Sequence, residues 1–204
     1  MPDMPAGLRD AVPSNAVHLC VDMQRMFAED TPWRTPWMQR VAPVVASICD
    51  HRPDRTVFTR FIPPSDPDEA RGAWRPYWMR WNALTLGELG ADYVELMPEL
   101  SRFAPPAVVF DKRVYSPWWD GRLHQSLQAR AVEALIVTGC EIDVCVLATV
   151  LGAVDLGYRV IIAADALCSS ADPDHDAALQ LYSERFGMQI ETVSTADILA
   201  AWAP

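Results

Sequence analysis

The segment that most constrains the fold of this chain is residues 137–165, VTGCEIDVCVLATVLGAVDLGYRVIIAAD. An apolar run reaches Thr138 and Gly139, and a short polar turn follows. Cys145 then opens a long apolar-periodic stretch that closes at Gly157, before a second apolar run. Apolar runs bounded by turn residues indicate strands, and a longer periodic stretch indicates a helix. The segment therefore predicts a strand, a tight turn, a helix and a second strand.

Cys145 falls in the first turn of the predicted helix. A thiol at that position meets the positive end of the helix dipole and backbone N–H groups without intrahelical partners. Both effects favour the thiolate, which is the nucleophilic form of cysteine. The alternative is a buried cysteine that only packs in the core, which is the commoner role of this residue.

Two other polar residues follow strand-like runs. Asp22 ends the apolar run 17–21, and Lys112 closely follows the run 107–110. Ligands of open α/β sheets bind at the carboxyl ends of the strands, where both side chains are expected. Taken singly, Asp22 is equally a helix N-cap and Lys112 an ordinary solvated charge. Together with Cys145 they supply a proton carrier, a charge stabiliser and a nucleophile.

At these three places the chain resembles the isochorismatase-like cysteine hydrolases, a family that includes nicotinamidases, N-carbamoylsarcosine and ureidoacrylate amidohydrolases, and isochorismatases. The resemblance spans about residues 15–195. The matching residues are Asp22-Met23-Gln24 with Phe27, then Lys112 with Tyr115-Ser116, and then Gly139-Cys140-Glu141-Ile142-Asp143-Val144-Cys145-Val146 with Ala148-Thr149, Ala153, Gly157-Tyr158 and Asp165.

The resemblance implies a catalytic triad of Asp22, Lys112 and Cys145. It also implies a cis peptide between Cys140 and Glu141, and an oxyanion hole made by the backbone N–H groups of Glu141 and Cys145. The expected activity is hydrolysis of a C–N bond in a small amide, carbamoyl or ureido substrate through a thioester. The alternatives are an isochorismatase-type ether hydrolase in which Cys145 is incidental, and a non-catalytic or redox member of the family.

The chain departs from its relatives at two places. Ile142 stands where many relatives have Thr, so a hydroxyl beside the turn is missing. Nicotinamidases carry a histidine-containing metal site after the second strand, where this chain reads Thr59-Arg60-Phe61-Ile62-Pro63-Pro64. The four histidines of the chain are scattered without metal-ligand spacing. We therefore expect no metal and no cofactor.

The rest of the chain alternates strand-like and helical patterns, which predicts a three-layer α/β/α fold with a doubly wound, mainly parallel, six-stranded sheet. A single domain is expected over 15–204, after a loose arm at 1–14. By resemblance, the first and fourth strands lie side by side, whereas the route of Lys112 to the site is not indicated. Strands are predicted near 16–21, 55–61, 107–111, 133–138, 159–164 and 188–193, and helices near 36–50, 120–131, 143–156, 173–186 and from 195.

The connection 62–106 is too long for a simple crossover and is rich in Trp, so we interpret it as a lid or interface insertion. Packing against its own sheet is the alternative. Arg60 is a candidate for binding a substrate carboxylate, and equally a candidate for an ordinary ion pair. The candidate substrate-binding residues are Gln24, Phe27, Arg60, Trp78, Trp81, Tyr115 and Trp118, with Trp33, Trp37 and Trp119 as further aromatic residues near the motifs.

The net charge of −10 argues against nucleic acid or an anionic membrane as partner. No apolar run reaches the length of a membrane span. Five cysteines without CxxC spacing do not indicate a disulfide framework, so a cytoplasmic protein with reduced thiols is expected. A small-molecule substrate and a homodimer or homotetramer complete the expectations from the resemblance.

Overall fold

The computed structural model describes residues 7–203. One sheet holds the six strands in the order β3-β2-β1-β4-β5-β6, and each neighbouring pair is parallel. The predicted doubly wound sheet is therefore confirmed, including the adjacency of the first and fourth strands. The strands are β1 Val17–Val21, β2 Thr56–Phe61, β3 Val108–Lys112, β4 Ala134–Cys140, β5 Arg159–Cys168 and β6 Ile190–Val193.

Helices cover both faces of the sheet, which gives the three expected layers. Alternate residues of a strand point to opposite faces, so Leu19 and Cys20 of β1 enter two different apolar cores. One core lies beneath α2, α5 and α9, and the other beneath α6, α7 and α8. The helices are α1 Arg25–Ala28, α2 Met38–His51, α3 Trp74–Arg80, α4 Leu86–Leu89, α5 Pro98–Ser101, α6 Arg122–Ala129, α7 Cys145–Asp155, α8 Asp172–Gln180 and α9 Thr195–Ala201, and α8 continues as a π-helical turn at Leu181–Arg185.

The long connection between β2 and β3 consists of short helices and 3₁₀ turns rather than one crossover helix. Trp78, Leu84 and Leu100 of this connection are buried, and they join the core beneath α2. Much of the Trp-rich segment therefore packs against the body of its own domain.

Residues 1–6 of the arm predicted at 1–14 lie outside the described residues. Further along, Val12 is buried and its N–H donates to the carbonyl of Ala201 at 3.2 Å. The N–H of Arg9 donates to the Glu191 carboxylate at 2.9 Å. These contacts fasten residues 9–12 to β6 and α9. Within residues 7–203, no helix combines the length and the apolar character needed to cross a membrane.

Candidate active site

The site lies where the chain direction across the sheet reverses, between β1 and β4. Val21 and Gly139 are paired in register at the carboxyl ends of these two strands. Gly139 has φ +113°, and a Cβ atom there would overlap the backbone of Val21. Only glycine therefore allows this close approach. Crevices of this kind are where open α/β sheets bind their ligands.

Asp22 follows β1 directly and is fully buried. Its φ of +49° is an uncommon conformation for a residue other than glycine, although Asp adopts it more readily than most. The hydroxyl of Thr59 donates to Oδ1 at 2.6 Å, and Lys112 Nζ donates to Oδ2 at 2.7 Å. Both carboxylate oxygens are thus fixed in position by neighbours on β2 and β3.

Lys112 reaches the crevice from the edge strand β3, across the end of β2. Its Nζ lies 5.1 Å from the ring centroid of Phe61, at the end of β2. It then contacts Asp22 Oδ2 at 2.7 Å, the carbonyl oxygen of Val114 at 3.2 Å and Cys145 Sγ at 3.4 Å. The length of the lysine side chain therefore accounts for a route that the sequence did not indicate.

Charge in this pocket is governed by the ion pair of Lys112 and Asp22, whose side chains are only 3% and 0% exposed. Burial alone disfavours the ammonium, but the charges of Asp22 and Cys145 outweigh it and raise the pKa of Lys112. Lys112 therefore stays positively charged beside the thiol.

Cys145 is the first residue of α7 and is 7% exposed. Burial raises the pKa of the Cys145 thiol, Asp22 raises it further, and Lys112 opposes both. The start of a helix favours the thiolate, whereas burial acts in the opposite direction and is the largest contribution to the shift. The Cys145 sulfur lies beside the ammonium of Lys112, which is paired with the Asp22 carboxylate.

The turn before Cys145 is fixed by hydrogen bonds to β5 and to the π-helical turn after α8. The peptide bond between Cys140 and Glu141 is cis. Ile142 is fully buried, its N–H donates to the carbonyl of Cys168 at 2.9 Å, and its own carbonyl accepts from the Tyr182 hydroxyl at 2.7 Å. Over residues 7–203, neither the Glu141 nor the Cys145 amide N–H donates to another backbone group.

A cavity of about 400 Å³ opens above the thiol. Half of its lining residues are aromatic, and they come from α1 and the segment after it, from the end of β2, from α3 and the residue after it, and from the loop after β3. The lining residues are Phe27, Pro32, Trp33, Arg34, Phe61, Tyr77, Trp81, Tyr115, Glu141, Val144, Cys145 and Ser170. A second depression of about 370 Å³ is lined by Lys112 and Trp119 but not by Cys145. The first cavity is lined by Cys145, although not by Asp22 or Lys112, and we assign the site to it because the thiol opens into it.

Three of the seven candidate substrate-binding residues, Phe27, Trp81 and Tyr115, line this cavity. Gln24 does not, because its amide is engaged with the backbone of β2 and of residue 94: it donates to the carbonyls of Phe61 and Val94 and accepts from the Phe61 N–H.

Arg60, Trp78 and Trp118 also lie outside the cavity wall. Arg60 forms ion pairs with Asp111 at 2.8 Å and Glu95 at 2.7 Å, which is the alternative left open for it. Trp78 is 2% exposed in the core. The indole of Trp118 donates to the Thr149 carbonyl at 2.8 Å.

Sequence reasoning missed other parts of the wall, of which Arg34 and Ser170 are the polar examples. Trp33, in contrast, was among the further aromatic candidates. Tyr77 and Val144 were visible only as neighbours of candidates, and Arg34 carried no signal beyond its place next to Trp33. Among residues 7–203, no group of His, Cys, Asp and Glu side chains is arranged to hold a metal ion.

Comparison with known proteins shows which family the chain matches. The Isochorismatase domain family matches residues 16–194. Ureidoacrylate amidohydrolase of Variovorax paradoxus (strain S110) is 30% identical over 148 residues, which cover 67% of this chain and 57% of that protein. An isochorismatase family protein of Bacillus subtilis (strain 168) is 29% identical over 101 residues, or 50% of this chain and 53% of the relative. The chain thus spans about half the length of the curated relatives it matches.

Solved structures share the fold at low sequence identity. A cysteine hydrolase from Pseudomonas syringae pv. phaseolicola 1448A superposes with a TM-score of 0.81 at 21% identity, covering 98% of both chains. N-carbamoylsarcosine amidase from Thermoplasma acidophilum gives a TM-score of 0.70 at 19% identity, covering 88% of this chain and 96% of that one.

Proposed function

The chain belongs to the isochorismatase family, and we propose that it is a cysteine-dependent hydrolase that cleaves a C–N bond of a small amide, carbamoyl or ureido substrate. The observation that carries this proposal is the contact set of Lys112 Nζ, which lies 2.7 Å from Asp22 Oδ2 and 3.4 Å from Cys145 Sγ. Cys145 in turn lines a cavity rich in aromatic side chains. A nucleophile, a base and a fixed cation at such distances form the arrangement that covalent catalysis requires.

The first step forms the bond between the Cys145 sulfur and the substrate. Asp22 takes the thiol proton as Cys145 Sγ attacks the carbonyl carbon, so a free thiolate need not accumulate. Lys112 stabilises the negative charge on sulfur while it exists. The new S–C bond pushes the carbonyl π electrons onto oxygen, and the N–H groups of Glu141 and Cys145 receive that oxyanion. One such donor is typically worth about 3 kcal/mol of transition-state stabilisation.

The second half of the reaction uses the same carboxyl group in reverse. Asp22 returns the proton to the leaving nitrogen as the C–N bond breaks, and a thioester on Cys145 remains. Asp22 then removes a proton from a water molecule that attacks the thioester carbon. Collapse of the resulting tetrahedral intermediate breaks the C–S bond, the acid leaves, and Asp22 returns the proton to the Cys145 sulfur.

We propose that the connection 62–106 acts as part of the substrate-binding wall. Tyr77 and Trp81 from this connection line the cavity beside Trp33, whose ring centroid lies 6.0 Å from Tyr77 and 5.7 Å from Trp81. Aromatic side chains of this kind bind apolar or planar groups. They favour a substrate with a compact apolar or planar body.

The proposal is tested by intact-protein mass spectrometry after brief incubation with a panel of small amides, carbamoyl acids and ureido acids. We expect an acyl adduct or a hydrolysis product with the wild type and neither with Cys145→Ala. Cys49→Ala is the matched control: Cys49 is also buried, with a pKa raised to about 12 by burial, but it lies on α2 away from the cavity.

Hydrolysis of an amide by Cys145→Ala would refute covalent catalysis. Isochorismate cleavage by the same variant would instead favour the ether-hydrolase alternative. The absence of any adduct and product, with Cys145 alkylating at the rate of an ordinary thiol, would favour a non-catalytic member.

A further inference from the structure

One cation in the cavity wall has no side-chain partner among residues 7–203. Arg34 lies in the loop between α1 and α2, is exposed, and is the single Lys or Arg that lines the cavity in the described part of the chain. Across residues 7–203, its guanidinium makes no side-chain hydrogen bond, no ion pair and no stacking contact with a ring. Arg60, in contrast, is held by two carboxylates outside the cavity.

The acidic residue that lines the described cavity wall, Glu141, has other partners. Glu141 accepts hydrogen bonds from the N–H and hydroxyl of Ser170, at 3.3 and 2.9 Å. Burial raises the pKa of Glu141, although Ser170 opposes the shift. Glu141 is thus engaged with Ser170 and forms no ion pair with Arg34, so the guanidinium is left without an ionic contact among the described residues.

The chain as a whole is acidic, with 27 acidic and 17 basic residues. An acidic protein repels small anions in general, so an unpaired arginine creates a local exception. The planar guanidinium presents parallel donors that match a carboxylate in a bidentate geometry. The neighbouring aromatic side chains exclude part of the water that would otherwise weaken such a pair.

We infer that Arg34 binds a carboxylate of the substrate, which makes the substrate class small amide, carbamoyl or ureido compounds that also carry a carboxylate. The inference rests on the proposed function, because it assumes that the scissile group lies at Cys145. The aromatic wall contacts the body of the substrate between its two ends. Specificity for a carboxylate then comes from Arg34 and not from Arg60.

Binding is measured apart from hydrolysis, in the Cys145→Ala protein, by the fluorescence of the cavity residues Trp33 and Trp81. The probes are succinamate, glutaramate and terephthalamate, each compared with its neutral diamide. We expect the best of the three carboxylates to bind about 10- to 100-fold more tightly than its diamide, the usual effect of a charged hydrogen-bonded pair. Addition of Arg34→Gln should bring that ratio close to one, and Arg34→Lys should restore part of it.

Arg40→Gln is the control for a change of net charge. Arg40 lies on α2, stacks over Trp37 at 4.3 Å, and is not part of the cavity wall. This variant should keep the preference for the carboxylate.

Equal affinity for carboxylate and diamide, or no saturable binding of any carboxylate, would overturn the inference. A preference that survives Arg34→Gln would do the same. Arg34-dependent binding supports it even if the wild type leaves every amide intact, and that combination would count against the proposed hydrolase alone.

Discussion

Replacement of Lys112 by Met should destabilise the fold strongly, because it removes the cation of a buried ion pair and leaves the anion. The Lys112 and Asp22 side chains are 3% and 0% exposed and 2.7 Å apart. After Lys112→Met, the Asp22 carboxylate keeps only the hydrogen bond from the Thr59 hydroxyl. A neutral hydroxyl group cannot balance a full negative charge. Breaking a buried pair by removing one partner typically costs about 3–5 kcal/mol.

For a chain of this length, a loss of 1 kcal/mol lowers the melting temperature by about 2–4 °C. Lys112→Met should therefore lower it by about 6–20 °C at neutral pH. The double variant Asp22→Asn with Lys112→Met buries no charge, so it should recover much of this loss. Calorimetry of the wild type, the two single variants and the double variant gives the coupling energy directly.

The matched control is an ion pair with the same separation on the surface. Arg75 Nη2 lies 2.7 Å from Asp68 Oδ1, but the two side chains are 55% and 75% exposed. Solvent screens such a pair, so Arg75→Met should cost less than about 1 kcal/mol. If Lys112→Met proves no more damaging than Arg75→Met, or if the double variant loses the sum of the two single effects, the reasoning about buried charge fails.

Three further predictions concern the frame of the site. Gly139→Ala should cost more than about 4 kcal/mol of stability, because a Cβ atom meets the backbone of Val21 and φ is +113°; a urea midpoint near that of the wild type would contradict this. Tyr182→Phe leaves the Ile142 carbonyl without its 2.7 Å donor and should cost about 1–3 kcal/mol in the same titration, unless the carbonyl gains a water. Burial lowers the pKa of His18 from 6.5 to about 3. The contribution of the neutral imidazole to the stability of the fold is therefore fully present above pH 6.5 and is lost as the pH falls towards 3. His18→Gln should reduce the pH dependence of the free energy of unfolding by up to about 1.4 kcal/mol per pH unit. An unchanged pH dependence of this free energy, measured by urea titrations at acid pH, would refute the assignment.

The strands and the three central side chains were predictable because they depend on local patterns. Apolar runs, such as the one ending at Asp22, mark buried strands whatever else surrounds them. The order of strands then brings their carboxyl ends to one edge, so Asp22 and Cys145 had to be close. The predicted helix from 143 agrees with α7, which begins at Cys145.

Which side chains line the cavity could not be predicted, because the position of each side chain depends on partners far away in the sequence. The side chains of Gln24 and Arg60 are engaged by partners that lie 35 or more positions away in the sequence. Arg34 matters for the opposite reason, since its significance lies in contacts that it does not make. No local pattern records either condition.

The thiol chemistry shows the same limit. The position of Cys145 at a helix start was correctly predicted, whereas the burial that raises the pKa of its thiol could not be derived from the local sequence, because burial depends on the whole surrounding structure. A homodimer or homotetramer stays a prediction.

The reach of Lys112 has a consequence for how the protein folds. Its contacts with Asp22 and Cys145 join positions separated by 90 and 33 residues. Closing such long loops costs chain entropy that no local contact repays, so contacts of this kind form slowly. We expect the environment of Cys145 to be completed only when β1, β3 and β4 have come together. The rate at which this thiol becomes protected from a labelling reagent during refolding would then measure how fast β1, β3 and β4 come together.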